Sequence, residues 1–96
     1  MPVARLSPAA EADIDEIWDY SAERWGRPQA DRYVRDLDAT CAGIAEGRMS
    51  SLSADDIRPG YRKAACGSHM IYFRSVGEEV EVVRILHQSM DVGRHL

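Results

Sequence analysis

The sequence is short of the residues that several functional classes require. Lysine occurs once, at Lys63, and the two cysteines, Cys41 and Cys66, form no CxxC pair and have no histidine at zinc spacing nearby. They indicate small buried side chains in a reducing compartment. The chain also has no long apolar run, no basic-then-hydrophobic N-terminal segment, no glycine-rich phosphate loop and no HExxH motif. We therefore predict a cytoplasmic protein that contacts no membrane and uses neither a metal nor another cofactor.

Charge is unevenly distributed along the chain, and this bears on nucleic-acid binding. Residues 1–47 hold five arginines against ten acidic residues, a net charge of −5, whereas residues 48–74 carry +3 and residues 75–96 carry −2. A protein that grips a nucleic-acid backbone alone usually presents a dominant basic face. This chain, at −4 overall, has only a local basic strip. The composition therefore argues against unaided binding to DNA or RNA.

The first half of the chain predicts two helices. A short β-prone run, Val3 to Leu6, precedes Ser7 and Pro8, which suit the N-cap and the first position of a helix. Gly26 ends that helix, and a second helix runs from Pro28 to about Ala45. Because the link between them is so short, the two helices should form an antiparallel hairpin.

The second half predicts strands. After a segment without periodicity, residues 48–60, three β-prone runs are separated by turn signals at Gly67-Ser68 and Gly77-Glu78. The runs are Tyr61 to Cys66, His69 to Val76, and a run that begins at Val80. A three-stranded antiparallel meander with a short tail at residues 92–96 completes one α+β domain over residues 1–96.

The side-chain pattern predicts which faces are buried. Trp18 and Trp25 recur on the apolar stripe of the first helix and are expected in the core. The acidic residues of that helix are expected on a solvated face: Glu11, Asp13, Asp15, Glu16, Asp19 and Glu23. In the middle run, His69 belongs on the face toward the helices, with a structural role.

The outer face of the meander is unusually apolar for a solvated surface. Alternation places Met70, Tyr72 and Arg74 there in the middle run. In the last run, alternation places the side chains on two opposite faces of the strand. One face holds Val80, Val82, Arg84 and Leu86, and the other holds Glu81, Val83, Ile85 and His87. Since both are apolar in the middle and the helical hairpin covers only one, we predict that a partner covers the outer face.

Short motifs along nearly the whole chain, in order, resemble the ParE branch of the ParE/RelE toxin superfamily. Those motifs are Leu6-Ser7-Pro8-Ala9-Ala10, Trp25-Gly26 with Gln29-Ala30 and Tyr33, Arg58-Pro59-Gly60-Tyr61-Arg62, Gly67-Ser68-His69-Met70-Ile71-Tyr72, and Arg84-Ile85-Leu86-His87 with Met90-Asp91. The resemblance implies the fold β-α-α-β-β-β. It further implies a non-enzymatic toxin that inhibits DNA gyrase and is neutralised by a ParD-like antitoxin.

The resemblance also implies partners, and the apolar outer face of the meander indicates where the antitoxin would bind. A ParD-like antitoxin would form a heterotetramer or larger hetero-oligomer with this chain and would supply the operator-binding module, so that this chain reaches DNA only through it. We expect the toxicity residues to be Arg84, His87, Met90 and Asp91. We expect the antitoxin-binding residues to be Met70, Tyr72, Arg74, Val82 and Leu86.

Two alternatives remain open on the sequence. RelE-like relatives cleave mRNA on the ribosome, and Arg62 and Arg84 are able to stabilise a phosphorane while His87 acts as acid or base. The other alternative is an inactive paralogue that only binds antitoxin. Structural roles compete with the catalytic ones, because His87 can hydrogen-bond Asp91 or a neighbouring carbonyl, and Arg84, His87 and Asp91 together can position the tail.

Overall fold

A computed structural model of the chain describes residues 4–96 and shows one strand, two helices and four further strands. Val3, which the sequence assigns to the first strand, lies outside the described residues. The elements in chain order are β1 (Ala4–Leu6), α1 (Pro8–Trp25), α2 (Arg27–Ala45), β2 (Leu52–Ser53), β3 (Arg62–Cys66), β4 (His69–Val76), β5 (Glu79–His87) and a 3₁₀ turn (Val92–Arg94). The α+β order predicted from the sequence is confirmed.

Capping residues fix both ends of α1. The Ser7 hydroxyl accepts the N–H of Ala10 at 3.0 Å and donates to the carbonyl of Val83 at 2.7 Å, so one side chain both caps the helix and ties it to β5. Gly26, at φ +92°, separates α1 from α2, and Pro28 lies in the first turn of α2. The predicted hairpin boundaries are confirmed to within one residue.

The sheet has the strand order β1-β5-β4-β3-β2. The antiparallel β3-β4-β5 meander is confirmed, and β1 adds to β5 in parallel. Strand β2 was not predicted: two residues at Leu52 and Ser53 pair with β3 inside the segment that lacks periodicity. A pair so short carries no alternation by which to find it.

A β-bulge at Val83 reverses part of the predicted face assignment. Val82 pairs with Phe73 and Arg84 pairs with Tyr72, so Val83 is an extra residue in β5. Val82 therefore faces the helices and is fully buried in the main core. The prediction that Val82 shares the outer face with Leu86 is wrong, because one inserted residue shifts the side-chain alternation by one position.

The main core lies between the helical hairpin and the sheet. It is built from small and aliphatic helix residues packed on the inward-facing strand residues: Ala10, Ile17, Leu37, Cys41, Ile44, Ala64, Ile71, Phe73, Val82 and Ile85. The two tryptophans contribute less than predicted. Trp25 is 56% exposed at the end of α1, and Trp18 lies partly exposed, donating its indole N–H to Asp31 at 2.8 Å.

A second, smaller cluster forms on the outer face of the sheet. Tyr72 and Leu86 are buried there against Ala54, with the partly buried residues Ile57, Tyr61, Met70, Val92 and Leu96 around them. Residues 54–61 fold back over the sheet because Ala54 and Tyr61 share a backbone hydrogen bond, and Asp55 accepts the N–H of Gly60 at 2.7 Å. The chain therefore covers much of the face that the sequence predicts to be open. Of the five predicted antitoxin-binding residues, Arg74 is exposed and Met70 is partly buried, whereas Tyr72, Val82 and Leu86 are buried.

Candidate binding cleft between the first helix and the last strand

A cleft opens where β1 stops, because no other strand within residues 4–96 pairs with the far half of β5 on that side. β1 pairs with β5 only as far as Val82, so α1 lies beside the remaining residues of β5. The cleft has a volume of about 470 Å³. Its lining comes from α1, β4, β5 and the turn after β5: Asp13, Glu16, Ile17, Tyr20, His69, Ile85, His87, Ser89 and Met90.

Asp13 substitutes for the missing strand. Its carboxylate accepts the Nε–H of Arg84 at 2.8 Å, an Nη2–H of Arg84 at 2.7 Å and the backbone N–H of Ile85 at 2.9 Å. Only 7% of Asp13 is exposed. The prediction that Asp13 lies on a solvated face is wrong, and its spacing gives the signal that would have found it, because it falls three residues after Ala10 and four before Ile17 on one helical face.

Arg84 connects α1 to the C-terminal tail. The hydrogen bonds to Asp13 raise the pKa of the guanidinium, which stays charged. One Nη1–H of Arg84 donates to the carbonyl of His95 at 3.2 Å. Asp91 acts on the same tail by accepting the N–H of Gly93 at 3.1 Å, which caps the 3₁₀ turn. Of the three residues expected to position the tail, Arg84 and Asp91 contact it, whereas the His87 side chain is hydrogen-bonded to Ser89 instead.

Two histidines form one wall of the cleft. His69 and His87 are opposite each other on β4 and β5, and their rings meet edge to face with centroids 5.4 Å apart. The Tyr33 hydroxyl of α2 lies 2.6 Å from Nδ1 of His69 and accepts the N–H of Ser68 at 3.0 Å. Nδ1 of His87 is 2.7 Å from the Ser89 hydroxyl, so Ser89 takes the place that the sequence assigned to Asp91.

Burial keeps His69 neutral near pH 7. Burial lowers the pKa of this imidazole, and the neighbouring His87 lowers it further, while the Asp13 carboxylate acts in the opposite direction. The neutral imidazole is hydrogen-bonded to the Tyr33 hydroxyl through Nδ1 in either tautomer. The structural role predicted for His69 agrees with this contact.

Acidification will therefore destabilise the fold through His69. Because the folded pKa is lowered below the ordinary value of 6.5, unfolded His69 binds a proton more readily. Its contribution is present above pH 6.5 and is lost as the pH falls through the folded pKa. Urea unfolding measured between about pH 7.5 and 5 should show a smaller loss of unfolding free energy in His69→Gln than in the wild type. His95→Gln, at an exposed tail position, is the control, and identical curves for the wild type and His69→Gln would contradict this assignment.

Gly67 makes room for Tyr33 beside the histidines. The residue has φ +58°, and a Cβ at this position would lie 2.6 Å from the Tyr33 hydroxyl. We expect Gly67→Ala to cost about 2–3 kcal/mol, of which about 1 kcal/mol is backbone strain and the rest displacement of Tyr33 from its hydrogen bonds. Gly77→Ala is a matched control, since φ is +62° there and no atom of the described residues lies within 4 Å of the added Cβ. Equal losses in chemical denaturation would show that the Tyr33 contact adds nothing.

The three candidate catalytic residues do not form one site. Arg62 lies on β3, two strands away from β5, and its guanidinium donates to the hydroxyl and the carbonyl of Ser51 at 2.8 and 2.9 Å. Arg84 is engaged by Asp13, and His87 faces the cleft. Of the predicted toxicity residues, His87 and Met90 line the cleft and Arg84 borders it through Asp13, whereas Asp91 lies outside the lining.

Among residues 4–96, no three histidine, cysteine or acidic residues are grouped so as to hold a metal ion. No helix there combines the length and the apolar character needed to cross a bilayer.

Comparison with known proteins places the chain in a family. Residues 4–92 match the family model described as the ParE toxin of the type II toxin–antitoxin system parDE. Toxin ParE1 of Mycobacterium tuberculosis is 48% identical over 92 residues, covering 95% of this chain and 94% of that protein. Toxin ParE1 of Caulobacter vibrioides is 49% identical over 92 residues, with 96% and 95% covered.

A more distant relative and a solved structure agree. Toxin ParE of Escherichia coli is 34% identical over 88 residues, covering 91% of this chain and 85% of that protein. A chain from the chromosomal ParDE toxin–antitoxin system of P. aeruginosa superposes with a TM-score of 0.77 over 91% of this chain and 96% of that one, at 22% identity, which establishes the shared fold. The chain therefore belongs to the ParE family of type II toxin–antitoxin toxins.

Proposed function

We propose that this chain is a cytoplasmic toxin that inhibits DNA gyrase by binding rather than by catalysis, and that a ParD-like antitoxin neutralises it. Family membership supplies the toxin–antitoxin context. The cleft between α1 and β5 is the proposed contact with the target, because it gathers His87 and Met90 on one accessible surface.

The hydrogen bonds made by the Arg84 guanidinium are the observation that supports a non-enzymatic mechanism. A ribonuclease of the RelE type needs free cationic groups beside its acid or base to stabilise a phosphorane. The Arg84 guanidinium instead makes two hydrogen bonds to Asp13 and a third to the tail, and its side chain is only 22% exposed. Arg62 lies on β3, away from Arg84 and His87, and its guanidinium is hydrogen-bonded to Ser51. These contacts favour a positioning role over phosphate binding.

The antitoxin is assigned to the other side of the sheet. Met70 and Arg74 retain exposure there, beside the segment 54–61 and the tail that cover Tyr72 and Leu86. We propose that the ParD-like partner docks over this composite surface in a heterotetramer or larger assembly, and that it alone provides contact with operator DNA. Val82 is not part of this surface, because the bulge places it in the core.

Two assays on the purified protein test the proposed mechanism together. In a DNA supercoiling reaction with gyrase, the protein should inhibit supercoiling. In a translation reaction, ribosome-bound mRNA should stay intact. Clean cleavage of mRNA on the ribosome, lost in Arg84→Ala, would replace the gyrase mechanism with the endonuclease. Absence of both effects, together with antitoxin binding, would identify an inactive paralogue.

A further inference from the structure

One unpaired charge faces the cleft between α1 and β5. Two acidic residues line it, but the Asp13 carboxylate is already engaged by Arg84 and the N–H of Ile85. Glu16 is exposed, and among residues 4–96 no salt bridge engages its carboxylate. Among the described residues that line the cleft, Glu16 is therefore the carboxylate that no salt bridge engages.

No lysine or arginine lines the cleft. The Arg84 guanidinium is neutralised by Asp13 at 2.7 Å, and burial lowers the pKa of His69, so that its imidazole is uncharged near pH 7. Arg24 lies outside the lining, stacked over the ring of Tyr20 at 5.2 Å. The electrostatic environment favours a positively charged occupant and disfavours an acidic one.

The rest of the lining suits the stem of a long basic side chain. Ile17 and Ile85 are buried apolar residues of the lining, and Met90 and Tyr20 are exposed by 46% and 54%. Lysine and arginine pack their methylene groups on apolar surface while the charged end reaches a polar group. The Tyr20 ring adds apolar surface for the stem, and its cation–π contact is already made by Arg24, whose guanidinium carbon lies 5.2 Å from the ring centroid.

From this arrangement we infer that the cleft receives an arginine or lysine side chain of the target protein, with its charged end at Glu16 and its stem against Ile17, Tyr20, Ile85 and Met90. The inference rests on the proposed function, since it names the chemistry of the target residue that the toxin recognises. It makes Glu16 and Tyr20 determinants of recognition, which the sequence motifs do not suggest.

A titration of the full chain without gyrase tests the inference separately from the proposed function. N-acetyl-arginine methylamide is added to the isotopically labelled protein, and chemical shifts are followed by NMR. N-acetyl-citrulline methylamide, of similar shape but uncharged, is the matched probe. We expect saturable shifts at Ile17, Ile85 and Met90 with the arginine probe, and affinity about five-fold weaker in Glu16→Gln. Glu11→Gln, exposed on the same helix but outside the cleft lining, should bind like the wild type.

Each result decides the inference. Equal shifts with the citrulline probe, shifts confined to the acidic surface of α1 outside the cleft, or no shifts up to about 50 mM probe would overturn it. Binding of the arginine probe by a protein that fails to inhibit gyrase would leave the cleft chemistry intact and refute the proposed target. Inhibition of gyrase without arginine binding would refute the inference alone.

Discussion

The Asp13→Ala variant is expected to lose about 3 kcal/mol of unfolding free energy, the lower end of the cost of breaking a buried ion pair. The substitution removes the acceptor for three hydrogen bonds, two from Arg84 and one from the N–H of Ile85. The Arg84 side chain is 22% exposed and recovers some hydration, which keeps the loss from being larger. The backbone N–H of Ile85 cannot be hydrated in this way, because Ile85 is only 2% exposed.

Asp15→Ala is the matched control, on the same helix but exposed. It should change the unfolding free energy by no more than about 0.5 kcal/mol in urea denaturation. Asp13→Asn should fall between the two, because an amide oxygen can still accept from Ile85 but offers no charge to Arg84. If Asp13→Ala and Asp15→Ala had the same unfolding free energy, the hydrogen bonds of the Asp13 carboxylate to Arg84 and Ile85 would contribute nothing measurable to stability.

The double variant His87→Ala, Met90→Ala is expected to lose at least about ten-fold in potency against gyrase while keeping its fold, since hot-spot residues at an interface contribute more than about 1 kcal/mol each. Both residues are exposed, so their removal leaves no cavity in either hydrophobic cluster. Potency is read from inhibition of DNA supercoiling, and folding from thermal unfolding of the same preparation.

Leu52→Ala is the control for the double variant. Leu52 is 66% exposed on β2, at the opposite edge of the sheet from β1, and lines no part of the cleft. It should inhibit gyrase as the wild type does. A double variant with unchanged potency and unchanged stability would remove the cleft from the proposed target contact.

Local signals in the sequence were enough to place the helices and the meander. Ser7, Pro8 and Gly26 mark helix boundaries through their own backbone preferences, and the turns at Gly67 and Gly77 both adopt positive φ. These features depend on a few neighbouring residues. They can therefore be predicted without knowledge of the tertiary structure.

Features that depend on distant contacts were missed. No sequence signal in this run of β-branched residues indicates the bulge at Val83. The bulge nevertheless turns Val82 toward the helices. The helix pattern predicts that Asp13 is solvated, because its partner, Arg84, is 71 residues away in the chain and leaves no local signal. The cover over Tyr72 likewise comes from residues 54–61 and the tail, which show no periodicity of their own.

Hydrogen–deuterium exchange of the toxin, alone and saturated with DNA gyrase, tests the central claim most directly. If the cleft between α1 and β5 is the contact, amides of residues 13–20 and 85–90 should become protected while those of residues 54–61 exchange at an unchanged rate. Protection confined to residues 54–61 and the β2–β3 edge, or no complex with gyrase, would contradict the account.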